Sequence, residues 1–540
     1  MYSYRSSSAT WVITFFTAIL LGSLRLFAQG PDADPQTVPP AIPVQEQPEV
    51  LSRGPVHEAF AAPVIMQTQE GLIAPQQPPA PIEEVPPAEK PQGSQFVWIP
   101  GYWSWDADRS GYIWVSACWR AAPPKMSWVP GYWVQASGGW KWTAGYWAPA
   151  AAKEIVYLPG PPAIEDIEPV AVQPSPDMIW VPPCMYWSNG QYIRRAGYWM
   201  TAQPDWIWVP SHYVVTPRGY IFAEGHWDYS LDRRGVLFAP VYFPASVHLR
   251  AGFTFSPAVV VDTGLLRVSL FTYPRYCHYY FGDYYDSAYL SIGIFPRFDS
   301  HRHHIWYDPV YEHDRWCHRS DSRWEEHERN EYRRRCDDKD LRPAHTFREQ
   351  ESRRIRLSEP QRQASQLVRP IGEPAVAGRK SLQKFEKIDI DRRQKISKQA
   401  AAVRKFSDDR NRWESSAAGS RTTQPSMERK ADVTPSSGHK RTIQPVEETK
   451  TTVIPSVDRQ QIIPPAEGRK AARTVSGSQQ EKERTFGSPR ESQVSRPERV
   501  QIPASPVVGN SGRQSFFRKG LPAQPTDESK DYMDTNLRRE

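Results

Sequence analysis

Apolar residues are sparse along most of this chain, but between Trp98 and Trp227 they gather into short aromatic runs at regular spacing. Four openings align: Trp98-Ile-Pro-Gly-Tyr-Trp103, Trp128-Val-Pro-Gly-Tyr-Trp133, Trp180-Val-Pro-Pro-Cys-Met-Tyr-Trp187 and Trp208-Val-Pro-Ser-His-Tyr213. Each is answered by a closing run that ends in tryptophan, at Trp119, Trp147, Trp199 and Trp227. Openings start 30 residues apart in the first pair and 28 in the second. Strand-favouring Trp, Tyr, Ile and Val on both sides of a polar turn predict one β-hairpin per unit. Pro100, Pro130, Pro182 and Pro210 cannot donate to a ladder, so they mark a strand start or an edge. Gly101 and Gly131 leave room for a neighbouring ring to cover the backbone. A lone hairpin is marginal in water, so the hairpins must pack on one another. The expected fold is mainly β, with repeated aromatic hairpins forming a small antiparallel sheet or barrel-like core. Long disordered arms and one or two isolated helices flank it.

The remaining pattern sets the expected boundaries. Arg5 followed by the apolar run Trp11–Leu24 and small residues at Ala28 and Gly30 reads as a signal peptide over 1–28, cleaved after Ala28. Residues 29–95 hold 15 prolines, no tryptophan and nine acidic against two basic residues, the composition of an acidic disordered spacer. Hairpins one and two occupy 96–149, a Pro/Ala linker 150–176, and hairpins three and four 177–240. An aromatic and His-rich β extension follows over 241–345. It ends in a helix over 321–339, opened by the capping box Ser322-Arg-Trp-Glu325, with Glu325/Arg329 and Glu331/Arg335 spaced for ion pairs. Residues 346–540 read as a basic disordered tail containing one solvated helix over 381–413, its seam broken by Asp389 and Arg392. Beyond it runs a degenerate 20-residue repeat with Lys430, Lys450 and Lys470 in phase.

Composition sharpens this outline. The chain has 540 residues with 53 prolines, and only 39% are hydrophobic, which excludes a compact enzyme running end to end and a polytopic membrane protein. Residues 341–540 carry +15 of the total +7, so the rest carries −8. A positive tail ordinarily meets nucleic acid, but export removes that partner and leaves anionic envelope polymers. Cys118, Cys184, Cys277, Cys317 and Cys336 form no C-x-x-C pair; an oxidising compartment would allow one or two disulfides and one free thiol.

The two W-x-P-G-Y-W openings match W-x-x-G-x-W, and residues 96–230 resemble the WxxGxW (YxWGxW) repeat family of exported bacterial proteins. Hairpins three and four depart from it, with Pro183 and Ser211 at the motif glycine. The resemblance implies export to the periplasm, cell envelope or exterior and a small β-repeat, and no catalytic residue.

Candidate chemistry starts with the rings. Trp98 and Trp103 point to opposite faces of a strand, so one aromatic face can be core and the other a contact surface. Trp103, Trp133, Trp199 and Trp227 are the expected contacts, with cell-wall polysaccharide or envelope proteins as partners. Val259-Val-Val-Asp262-Thr263-Gly264 resembles the catalytic turn of aspartic proteases, which makes a hydrolase centred on Asp262 the competing class. Leu265 replaces the usual small residue, and no second such turn exists in the chain. His301, His303, His304, His313 and His318 cluster near Cys317 without a metal-ligand frame, so no metal and no cofactor are assigned.

Overall fold

Each hairpin is built as one long antiparallel register interrupted in the middle. In the first, Phe96–Ile99 pairs with Cys118–Ala121 and Tyr102–Asp106 with Gly111–Val115. Ile99 faces Cys118 and Tyr102 faces Val115, so the register runs unbroken across Pro100-Gly101 and Ser116-Ala117. The same construction recurs with breaks at 130–131 and 144–145, at 182–183 and 196–197, and at 210–211 and 224–225. Proline removes a ladder donor there, and every hairpin divides into an outer and an inner ladder. The computed structural model describes residues 47–67, 71–164, 167, 169, 172–299, 305–373, 384–421 and 498–501. Over these the protein is mainly β, in many small and mostly antiparallel sheets. No described helix is long and apolar enough to cross a membrane.

One tryptophan pair marks the outer ladder of all four hairpins. Trp98/Trp119, Trp128/Trp147, Trp180/Trp199 and Trp208/Trp227 sit edge-to-face with ring centroids 4.9, 5.2, 5.4 and 5.2 Å apart. Such pairs contribute about 0.5–1.5 kcal/mol beyond the area they bury. The inner ladders of hairpins one and two merge with Phe271, Tyr276, Tyr280 and Tyr284 in an aromatic core. The outer ladders of hairpins three and four pack instead around Trp316 of the helix Pro309–Cys317.

Described parts of three segments expected to be spacer, linker and tail dock on this core. The described portion of 29–95 supplies six short strands, and Val56, Ala59 and Phe60 are fully buried. Its prolines end strands without preventing docking, because the hairpins furnish the apolar partner that the segment lacks alone. In the 150–176 linker, Glu154–Leu158 is a strand paired with both Tyr220–Ala223 and Glu498–Gln501. In the tail, Val368–Pro370 pairs with Val259–Val261 and Phe385–Lys387 with Glu89–Pro91. The long helix runs Ile390–Arg421 and is not solvated: Ala400, Val403 and Phe406 are buried. Asp389, read as a break in its seam, accepts from the Arg392 amide at 2.7 Å and starts it.

The helix of 321–339 forms as Trp324–Asp337, but without the capping box. Asp321 accepts from the Arg323 amide at 3.0 Å in place of Ser322. Glu331 pairs with Arg335, whereas Glu325 turns to Arg315 and Arg329 to Asp299. The signal segment, His301, His303, His304 and the 20-residue repeat lie outside the described residues.

Candidate functional site

A broken hairpin leaves amides and carbonyls without ladder partners, and an unpaired buried polar group costs about 1–3 kcal/mol. Glu84, fully buried, accepts from the amides of Gly101 (2.9 Å) and Ala117 (3.1 Å), the two sides of the first break. Glu58 does the same at the second, accepting from Gly131 (3.3 Å), Gly145 (3.1 Å) and the Trp142 indole (3.1 Å). Carbonyls are served by cations and rings: His57 donates to Pro100, and Arg410 to Pro130 and Ala144. Burial pushes both glutamates up to about 7, against the pull of those amide donors. Burial likewise lowers His57 to about 4.

The two departures from the repeat motif now have a physical reason. Pro183 has no amide to satisfy, and the Ser211 hydroxyl accepts from Gly225 at 2.9 Å. Hairpin three therefore needs no acceptor at 183 and hairpin four supplies its own at Ser211, while one and two borrow a carboxylate from 47–95. A side chain at Gly131 would meet both the Trp142 ring and Glu58, within 2.5 and 2.7 Å of its Cβ.

The contacts expected from sequence divide. Trp103, Trp133 and Trp227 are core residues, exposed by only 3%, 7% and 4%. Trp103 donates to the Ala80 carbonyl and Trp133 to the Trp103 carbonyl. These three are corrected to structural roles, because their ring faces are used up by neighbouring rings and arms. Trp199 is half-buried on hairpin three. Asp262 caps the helix Thr263–Val268, accepting from Gly264 and Leu265, and the Thr263 hydroxyl donates to Asp232. That is the geometry of a turn holding a helix start. His313 donates to the Pro204 carbonyl; burial would lower it, but Asp314 and Cys317 beside it raise it to about 9. His318 stacks on Trp324 at 5.1 Å. All five cysteines are free, and among the described residues no cluster has the make-up of a metal site.

Comparison with protein-family models, with curated proteins and with solved structures returns no match. The site must therefore be read from its own chemistry. Clefts beside Phe271 and Tyr332 and beside Trp105 and Tyr284 enclose about 30 and 20 Å³, room for a single water.

Hairpin three differs from the others. Met185, Tyr186, Trp187, Tyr192, Tyr198 and Trp199 are all half-buried, and Ile193 and Arg194 are exposed. Trp187 and Tyr192 meet edge-to-face at 4.8 Å, and the Arg195 guanidinium lies 4.5 Å from the Tyr198 ring. Met185 and Arg194 stand directly opposite each other, where hairpin one has Trp103 and Trp114. Sequence inspection by aromatic count passes over this surface. Its signal is the pair Arg194-Arg195, charge where hairpins one, two and four carry Trp114-Val115, Trp142-Thr143 and Phe222-Ala223.

Proposed function

We propose that the protein is an exported envelope interaction or scaffold protein that engages an envelope glycan or protein partner through hairpin three. The single observation that carries this reading is the contrast between hairpins. Hairpins one and two bury Trp103, Tyr112, Trp133 and Trp142 on their inner ladders, while hairpin three keeps Trp187 and Tyr192 only half-buried with Ile193 and Arg194 exposed beside them; the inner ladder of hairpin four is half-buried too but exposes no residue. Tyr, Trp and Arg dominate interaction hot spots because they combine large contact area with a polar handle. Export rests on the leader-like run Trp11–Leu24 and on the W-x-x-G-x-W resemblance. The positive charge of 341–540 adds an electrostatic contribution toward anionic envelope polymers, which salt weakens.

The test is retention of the full chain on isolated cell envelopes. Wild type is expected to be retained and a Trp187→Ala/Trp199→Ala variant released, with Ile355→Glu, on a site 87% exposed elsewhere, unchanged. Equal retention of all three chains would refute the reading.

A further inference from the structure

The four hairpins share one aromatic position, five residues before the second residue of the closing break. It is Tyr112, Trp140, Tyr192 and Tyr220. At every one of these positions the aromatic residue meets a flanking segment. The Tyr112 hydroxyl donates to the Gln76 carbonyl at 2.7 Å, and Trp140 pairs with Ala74 in a strand ladder. The Tyr192 hydroxyl donates to the Pro159 carbonyl, and the Tyr220 ring lies close against Gly160.

The segments met are alike. One reads Ala74-Pro-Gln-Gln-Pro-Pro-Ala-Pro-Ile82 and the other Leu158-Pro-Gly-Pro-Pro-Ala-Ile164, both carrying Pro-Pro-Ala before an isoleucine. On hairpin one the first of them is held at two carbonyls: Trp103 donates to Ala80 at 2.9 Å and Tyr112 to Gln76. Residues 77–82 lie outside any helix or strand, so their carbonyls are free to accept. Indole N–H and phenol O–H donation to carbonyls of a proline-rich chain, with rings beneath the prolines, is a general mode of polyproline recognition. Proline favours it because a chain already fixed in φ loses little entropy on docking.

On hairpin three the corresponding face carries Met185, Trp187, Tyr192 and Arg194, and residue Pro159 touches it only at Tyr192 among the bonds described. We propose that this face is a receptor for a proline-rich extended segment of a partner protein, of the Pro-Pro-Ala type that hairpin one holds within the chain. The proposal rests on the interaction reading above and names its ligand class. Trp187 and Tyr192 form the aromatic floor, as Trp105 and Tyr112 do on hairpin one, and the exposed Arg194 favours a segment with a nearby carboxylate such as Glu83, Glu84 being spent on the amides of the first break.

The test uses the full chain and a fluorescent peptide with the sequence of residues 73–84, read by anisotropy. Saturable binding is expected. It should weaken at least tenfold when the peptide's four prolines become alanine, and at least tenfold in Trp187→Ala and in Met185→Glu, while Ile355→Glu binds as wild type. Met185→Glu sits on a half-exposed position, so it reports on the face without requiring a core ring to be removed. No binding, or binding unchanged in both hairpin-three variants, overturns the proposal. If the peptide fails while envelope retention still depends on Trp187 and Trp199, the ligand class is wrong and the surface reading stands. Dependence of polysaccharide retention on the same two residues, without peptide binding, would assign the face to glycan instead. Failure of both assays removes both readings.

Discussion

Glu58 and Glu84 are the residues on which the two borrowed breaks depend, and their environment makes stability depend on pH. Both carboxyls have folded pKa values near 7, above the ordinary 4.5, so the folded state holds protons that the unfolded chain releases. Their contribution is present below about 4.5 and lost as pH rises through about 7, on the order of 3 kcal/mol for each group. His57 and His278 act in the opposite sense. Lowered to about 4 and about 3 by burial, they favour the fold above 6.5 and cease to do so as pH falls through those values. Between pH 8 and 6.5 the two glutamates and His313, raised to about 9, all hold protons that the unfolded chain releases, so the urea midpoint should rise on acidification. In a Glu58→Gln/Glu84→Gln chain that rise should shrink to the share of His313, with the fall driven by His57 and His278 at lower pH kept; a double variant retaining the wild-type slope would contradict the assignment. The glycines opposite these carboxylates make a second residue-scale prediction. Gly145→Ala places its Cβ 2.4 Å from the Trp128 ring and 2.7 Å from Glu58, and should cost about 1–3 kcal/mol in chemical denaturation. Gly138→Ala meets nothing within 4 Å and bears only the left-handed φ of +84°, about 1–2 kcal/mol at most.

At the scale of elements, the hairpins were legible because tryptophan spacing, proline and turn glycines all point to the same local structure. Asn189 and Gly190, with φ of 48° and 84°, even take the two left-handed positions of a tight hairpin turn. Their division into outer and inner ladders was not legible, since the proline marks a break but says nothing of what fills it. Glu58 and Glu84 sit in proline-rich stretches whose composition alone reads as spacer; their meaning is set by amides that lie far away in sequence. The long helix carries the same lesson. Its buried side joins Val403 and Phe406 to Arg410 and Glu414, two fully buried charges that no apolar periodicity reveals. Glu414 accepts from Arg410 and from the Tyr132 and Tyr157 hydroxyls, while Arg410 also donates to the carbonyls of the second break. Arg410→Met leaves the buried Glu414 without its ion-pair partner and two carbonyls without donors, an expected loss of about 3–5 kcal/mol. Amide exchange should then rise in hairpin two before hairpin three, which the helix residue Arg410 does not contact. Uniform exchange across both hairpins would show that the helix does not act through that break.

Across the whole molecule, sequence composition separated a core from two arms, and the structure returns the described parts of both arms to the core because each completes a sheet or a break that the hairpins leave open. Glu498–Gln501 is the farthest such return. It pairs antiparallel with Glu154–Tyr157, Ile155 facing Val500, and Arg499 meets Glu154 at 2.6 Å. Ile155 and Tyr157 on the receiving strand are buried, and Val500 packs against their cluster. An edge strand stripped of its partner offers free amides and carbonyls to another chain. A chain ending at residue 421 should therefore self-associate with rising concentration in sedimentation velocity, where the full chain does not. Charge loss accompanies that truncation, so a second variant isolates the strand: Val500→Pro in the full chain removes one ladder donor and should reproduce the self-association with every other residue kept. Adding a peptide with the sequence of residues 496–503 to the truncated chain should suppress it. If Val500→Pro stays monomeric while the truncated chain associates, the strand is not what guards the edge, and the association belongs to the charge removed with the tail.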